Sequence, residues 1–289
     1  GYTGFIGSHL VDLLLKEYNV IGLSRKTKNR QIYQIRKDVR KVTINEIPKN
    51  VDYIVHLAAV SDVQYCQNYP TQCFEINVKG TQNMLEIARK IGSKFLFLST
   101  SHVYGLPQSL PIKENHPANP TSIYSASKLA AEIISESYAR SYGMDVSIIR
   151  LFSVYGPMAT PHLVTSEIIS QLLTKNKISI GNLHPKRDFI YVKDAVNAIK
   201  TVLKKSKGFG IYNVGYGKSH SISDLCNILL EISGSDIPIN SVKSQSRKQD
   251  INEVRADISK IMKLGWKPNT GLRKGLKMTL DWWRSNMKS

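Results

Sequence analysis

Acidic side chains are scarce in this chain. Its 22 Asp and Glu stand against 40 Lys and Arg, which leaves a formal net charge of +18. An excess of that size favours anionic partners: nucleic acid, a membrane surface or phosphorylated small molecules. The bases are spread along the whole chain, and the densest stretch, residues 25–41, has Asp38 as its one acid. No zinc-finger spacing or aromatic RNA-recognition motif accompanies them. The charge therefore reads as a solvated surface, and nucleic acid is not expected as a partner. Long apolar runs are also lacking. None reaches the roughly 18 residues that mark a spanning helix, so no membrane association is expected. Within these residues no charged segment leads into an apolar stretch and a cleavage site. Cysteine is limited to Cys66, Cys73 and Cys226, at spacings that fit neither a metal site nor a redox motif. An odd count without a framework suits a reducing compartment. The expectation is a cytoplasmic protein without metal, its cysteines ordinary core or surface residues.

What is present is enough apolar material, 42% of residues, for one large domain or two modest ones. Short apolar runs at residues 19–24, 52–57, 94–99 and 146–151 read as buried strands. Between them lie helical patterns at 7–17, 71–91 and 124–142, the middle one carrying Met84, Leu85, Ala88 and Ile91 at helical spacing. Strand–helix alternation predicts an α/β fold, a doubly wound parallel sheet with right-handed crossovers. After residue 156 the alternation weakens, and an amphipathic helix is expected near 272–286. The first residues form a glycine-rich turn with no strand before it, so the first strand of the sheet is expected to be missing.

Three motifs carry chemistry. Gly1, Gly4 and Gly7 precede a helix. Glycines there let the backbone approach a pyrophosphate, whose charge then meets a helix N-terminus. Such glycines also serve ordinary turns. Tyr124 and Lys128 stand four residues apart, on one helix face. A tyrosine with an ordinary pKa of ~10 needs ~4 kcal/mol of help to act as a base near neutrality. One ammonium ~4 Å away supplies about that much at an effective dielectric of 20. An exposed Tyr–Lys pair without function is the alternative. Thr100 ends the apolar run 94–99, where open α/β sheets bind ligands, although a strand end turning into a loop looks the same.

The order of the three motifs resembles the extended short-chain dehydrogenase/reductase family, in particular its NAD(P)-dependent nucleotide-sugar epimerases, dehydratases and reductases. Further segments share the resemblance: 56–59, 77–81, 150–157, 186–194, 212–215 and 264–268. It implies a Rossmann-like domain over 1–156 joined by 187–214, and a smaller sugar-nucleotide domain over 157–186 and 215–289. It implies Tyr124 as the acid/base, Lys128 as its electrostatic partner and a ribose contact, and Thr100 as the hydroxyl that holds the sugar oxygen. Gly1, Gly4, Phe5, Ile6, Gly7, Ser24, Arg25, Leu57, Ala58, Ala59 and Asn77, with Tyr124 and Lys128, would surround the dinucleotide. Thr100, Ser101, His102, Ser153, Arg187 and Arg247 would face a nucleoside-diphosphate sugar, the arginines on its diphosphate. For Arg247 a plain surface charge is an equal alternative. A homodimer is expected.

The chain departs from the family pattern at three places. The second strand ends at Ser24, Arg25 and Lys26, without the acid that bonds the ribose of NAD, so NADP is favoured over NAD. Ser101 and His102 stand where the sugar dehydratases carry an acid, which counts against elimination of water. Ser153 replaces an Asn that helps hold the substrate. The resulting expectation is an epimerase, then a reductase of a keto sugar, then a dehydratase. A non-catalytic NADP- or RNA-binding protein of the same fold is the rival, and the Thr100, Tyr124 and Lys128 set argues against it.

Overall fold

The computed structural model describes residues 1–27, 32–242 and 251–287. The glycine-rich turn runs into α1 (Phe5–Leu14), followed by the parallel pair β1 (Ile21–Ser24) and β2 (Tyr33–Arg36). Then come β3 (Tyr53–His56), the short helices α2 (Val63–Asn68) and α3 (Pro70–Phe74), a π turn over Glu75–Lys79, and α4 (Gly80–Ile91). They lead to β4 (Lys94–Thr100), α5 (Ile123–Tyr142) and β5 (Val146–Leu151). The second half holds β6 (Ser153–Tyr155), α6 (Val164–Thr174), β7 (Ile178–Ile180), β8 (Lys186–Tyr191), α7 (Val192–Lys205) and β9 (Phe209–Val214). It ends with β10 (Ser219–Ser221), α8 (Ile222–Ser233), β11 (Ile239–Ser241), β12 (Glu253–Val254), α9 (Ser259–Met262) and α10 (Leu272–Asn286).

The main sheet has the order β3–β4–β5–β9, every pair parallel. Its strands alternate sides as a doubly wound sheet requires. Phe95 and Phe97 of β4 point into a core shared with α4 and α5, where Met84, Leu85, Ala88 and Ala131 meet them. Leu96 points to the other face, where Leu10 of α1 and Val196, Ile199 and Val202 of α7 close the second core. Each fully buried aromatic or aliphatic side chain stabilises the fold by about 1.5–3 kcal/mol relative to exposure. The β1–β2 pair stands as a separate sheet. Residue 1 lies between the two: its nitrogen donates to Leu23 O at 2.8 Å, and a side chain there would strike Ala58 N at 2.7 Å. A third core, around Ile168, Phe189, Leu225 and Leu276, joins α6, α8 and α10 to β8. In that half β8 pairs with β10, β12 and β6.

The four expected strands form within a residue or two of their predicted ends, and α10 occupies 272–286 as read. The helix α5 starts where Ser122 accepts from Ser125 N at 3.2 Å, and stops at Gly143 with φ +65°. The helical pattern 71–91 is helical throughout, with a π turn over Glu75–Lys79 inside it. One expectation needs correction. The cysteines are not all separate thiols: Cys66 and Cys73 are joined as a disulfide. Tyr69 and Pro70 break the chain between α2 and α3, and that bend brings the two Cα atoms to 5.2 Å. Cys226 is a free, buried thiol. Among the described residues no helix is long and apolar enough to cross a membrane, and no cluster of metal-ligating side chains occurs.

Beneath α5 lies an ion pair with both side chains withdrawn from water, Glu132 and Arg150. Arg150 Nη2 donates to Glu132 Oε2 at 2.7 Å and Nε at 3.1 Å, while Nη1 donates to Glu114 O at 3.1 Å. Ser99 donates to the other carboxylate oxygen, and the guanidinium lies 4.7 Å from the centre of the Tyr104 ring. Burial works against the Arg150 charge, and the hydrogen bonds it donates to Glu132, together with the Glu132 charge and Tyr104, more than offset it. Breaking such a pair from one side leaves a buried charge alone. Arg150→Met should therefore lower stability in urea unfolding by about 3–5 kcal/mol. Arg150→Met with Glu132→Gln should cost less than the two single changes added together. Strict additivity would show that the charges do not act as a pair.

Candidate active site

Thr100 ends β4, so its hydroxyl stands at the C-terminal edge of the parallel sheet. The chain then closes into a single 3-10 turn, Ser101–Tyr104, with His102 N donating to Thr100 Oγ1 at 3.2 Å. Across from it the first turns of α5 carry Tyr124 and Lys128, with Glu132 one turn further on the same face. The Tyr124 phenol stands close enough to the Thr100 side chain for that hydroxyl to favour its ionised form. The His102 ring stands edge-on to Tyr124 at 6.1 Å and faces solvent, whereas Ser101 is buried. Thr100, Tyr124, Lys128 and His102 thus form one cluster, assembled from two separate segments.

Burial governs the protonation of this cluster. It pushes the Tyr124 phenol up to about 12, against the influence of the Thr100 hydroxyl. It also pulls the Lys128 ammonium down to about 7, against the Glu132 charge. Without a ligand, burial dominates both members of the pair. Loss of water outweighs the charge, and the ammonium lies over the Phe97 ring, 4.0 Å from its centre.

The glycine-rich turn fits a dinucleotide. The α1 N-terminus has no side-chain cap, so its leading N–H groups at Phe5, Ile6 and Gly7 are open to an anion. Gly4 is exposed. At Gly7 a side chain would collide with the Gly1 carbonyl, so the turn closes only with glycine there. Leu57, Ala58 and Ala59 follow β3 beside Gly1, partly exposed. His56, just before them, is buried, and its Nε2 has no hydrogen-bond partner in the structure. Burial first, then the Lys128 charge, push its imidazole down to about 3. A buried polar atom left unpaired between the glycine turn and Lys128 is one that a polar ligand would satisfy. Ser24 bonds Thr3 at 3.0 Å, and Arg25 and Lys26 beyond it are exposed. The nearest following acid, Asp38, is held by Arg40 at 2.9 Å.

Asn77 is buried and its side chain is fully engaged. Its Oδ1 accepts from Val60 N at 2.8 Å, while Nδ2 donates to Val60 O at 3.0 Å and to Ser127 Oγ at 2.9 Å. It therefore ties the loop after β3 to α5. Ser153 opens β6 and pairs in register with Phe189. Arg187 is anchored on β8, its Nη1 donating to Lys186 O at 2.9 Å and Ile251 O at 2.7 Å. Arg247 lies outside the described residues. Sequence reasoning missed Phe97, Ser127 and Glu132 as parts of this site. The signal for Glu132 was present, since it continues the four-residue spacing from Tyr124 and Lys128.

The family model described as GDP-mannose 4,6 dehydratase matches residues 1–279. A putative UDP-glucose 4-epimerase of Methanocaldococcus jannaschii is 33% identical over 304 residues, covering all of this chain and 98% of that protein. Among solved structures, a UDP-N-acetylglucosamine 4-epimerase from Methanobrevibacter ruminantium, in complex with UDP-N-acetylmuramic acid, superposes with a TM-score of 0.94. It is 30% identical and the match covers 99% of this chain and 97% of that one. The UDP-glucose 4-epimerase of Thermus thermophilus in complex with NAD superposes with a TM-score of 0.88 at 28% identity, over 98% of this chain and 97% of that one.

The depressed Lys128 has a consequence for stability. Folded, it loses its proton near 7, and unfolded it keeps it to an ordinary 10.5. Between those values the unfolded state binds more protons, so stability rises with pH. Denaturant unfolding of the parent between pH 7 and 9 should show this rise relative to Lys128→Met. Parallel curves for the two proteins would mean that Lys128 is not depressed.

Proposed function

The chain belongs to the GDP-mannose 4,6 dehydratase family, and from that membership and the geometry of its site we propose that it is an NAD(P)-dependent nucleotide-sugar epimerase. The observation that carries the reading is the meeting of Thr100, at the end of β4, with Tyr124 of α5, with Lys128 one turn along α5 and Ser101 and His102 following Thr100. Thr100 holds the hydroxyl oxygen of the sugar carbinol. Tyr124 takes its proton as the carbon becomes a ketone, and returns a proton after the sugar has presented its other face. Lys128 supplies the positive charge that favours tyrosinate. A nicotinamide dinucleotide at the glycine turn supplies the redox chemistry. The similarity to UDP-sugar 4-epimerases supports a UDP-linked substrate. Elimination of water needs a second acid or base beside Thr100; Ser101 cannot fill that role, which leaves His102 as the one local candidate.

In this reading residues 1–156 and 187–214 hold the dinucleotide, with Asn77 setting the cofactor loop. Residues 157–186 and 215–289 hold the sugar nucleotide, with Arg187 and Arg247 on its diphosphate and Ser153 near the sugar. The active species is a homodimer. NADP is preferred to NAD, which the exposed Arg25 and Lys26 and the lack of a carboxylate at the end of β1 support. NAD in the Thermus relative is the competing precedent. A cationic ribose pocket also favours the second reading, an NADPH-dependent reductase of a nucleotide-linked keto sugar.

Product mass separates these readings. Incubation with UDP-hexoses and dinucleotide should give an epimer of unchanged mass, and Tyr124→Phe should slow it by about 10²–10⁴-fold. A gain of two hydrogens with NADPH consumed would establish the reductase instead. Loss of one water, abolished by His102→Ala, would make the chain a dehydratase and overturn the proposal.

Cofactor choice is tested apart from turnover. Arg25→Asp should weaken NADP relative to NAD by at least about tenfold, the worth of one charge-assisted hydrogen bond. Unchanged relative affinities in a direct binding titration would remove Arg25 from the ribose phosphate.

A further inference from the structure

Phe97 and Lys128 face each other across the interior of the site. Along β4 the residues Phe95, Phe97 and Ser99 share one side of the strand, the side covered by α5. Phe97 is fully buried, and Lys128 is 3% exposed. The ammonium has therefore given up nearly all its water. Glu132 is its counter-charge, but the oxygens of Glu132 already accept from Arg150 and Ser99. The remaining contact is the ring face of Phe97, with Nζ 4.0 Å from its centre. An ammonium within about 6 Å of a ring face is attracted to it, most strongly where water is excluded.

We propose that Phe97 is a positioning residue whose ring face seats the Lys128 ammonium and keeps it charged for the dinucleotide and Tyr124. This rests on the functional reading above for its purpose, though not for its test. The ring is fixed on both sides. His56 of β3, opposite Phe97 in register, stacks beside it at 6.0 Å with 19° between the planes. That imidazole is neutral, so it brings no competing cation. The titratable groups around the ammonium are Glu132 and Tyr124 on α5 and His56 on β3, and Arg150 on β5 is neutralised by Glu132. A leucine or methionine at position 97 would fill much of the same core but offer no π face.

The test reads the lysine directly, in cofactor-free protein labelled with ¹³C-lysine, with the Lys128 signal identified by its loss in Lys128→Arg. Protons beside a ring face are shifted upfield by the ring current. The Lys128 ε-methylene should show that shift in the parent and in Phe97→Tyr, and lose it in Phe97→Leu and Phe97→Met. In the latter two its titration midpoint should fall by about half to one pH unit, the equivalent of a cation–π contact. An unmoved signal and midpoint in either variant that folds would overturn the proposal. So would an equal loss in Phe97→Tyr. The sample contains neither dinucleotide nor sugar. A missing epimer product would therefore defeat the functional reading while leaving this result standing.

Discussion

The Glu132–Arg150 ion pair is the constraint on which the geometry of the site depends. It joins α5 to β5, takes in β4 through Ser99, and reaches the loop before α5 through the carbonyl of Glu114. A buried charge with its hydrogen bonds satisfied has one acceptable position, since any rotation of the helix would leave it unpaired. On an α-helix, fixing one residue fixes those four and eight positions away on the same face. Glu132 therefore sets where Lys128 and Tyr124 point. Thr100, the residue that Tyr124 meets, is fixed independently by the parallel register of β4 with β5, where it pairs with Leu151. The cluster of Thr100, Tyr124 and Lys128 is thus held from beneath by a helix and a strand that are locked together.

A second bracket works from the cofactor side. The π turn before α4 inserts Asn77 between the loop after β3 and Ser127 of α5. Ser127 in turn donates to Tyr124 O at 2.7 Å. Cys73 Sγ touches the same Ser127 hydroxyl at 3.5 Å, so the Cys66–Cys73 bridge also abuts this bracket. The loop at Leu57–Val60 and the first turn of α5 are in this way referenced to each other through side chains that do no chemistry themselves.

The strands of the main sheet were legible because each is a short apolar run bounded by polar residues, and α5 because Tyr124, Lys128 and the capping serines announce its first turn. Other features were not legible, for identifiable reasons. The strand Tyr33–Arg36 lies in the most basic stretch, where alternation is drowned by charge. The π turn inside 71–91 was not read, because the chain stays helical on both sides of it and one widened turn has no residue signature of its own. The disulfide depends on the bend at Tyr69 and Pro70, which spacing alone does not reveal. Thr100, Tyr124 and Lys128 were read as a set from the resemblance, and the structure brings them together. The effect of burial on the protonation of the pair was not legible, because burial is a property of the packed molecule and is invisible in a four-residue spacing.

The shortage of acids also gains a structural meaning. Two of the carboxylates are each shared between two bases. Glu17 bridges Lys200 and Lys204, and Glu86 takes both Arg89 and Lys90. Exposed pairs of this kind add little to stability and are screened by salt. Their effect on the field is larger, since every acid so engaged leaves the remaining lysines and arginines uncompensated. Arg25 and Lys26 stand in that surplus at the edge of the glycine turn. A positive field around a cleft raises the encounter rate with anionic ligands and does so less at high ionic strength. The charge imbalance is therefore a property of ligand capture, whereas the fold itself rests on the few charges that are buried and paired.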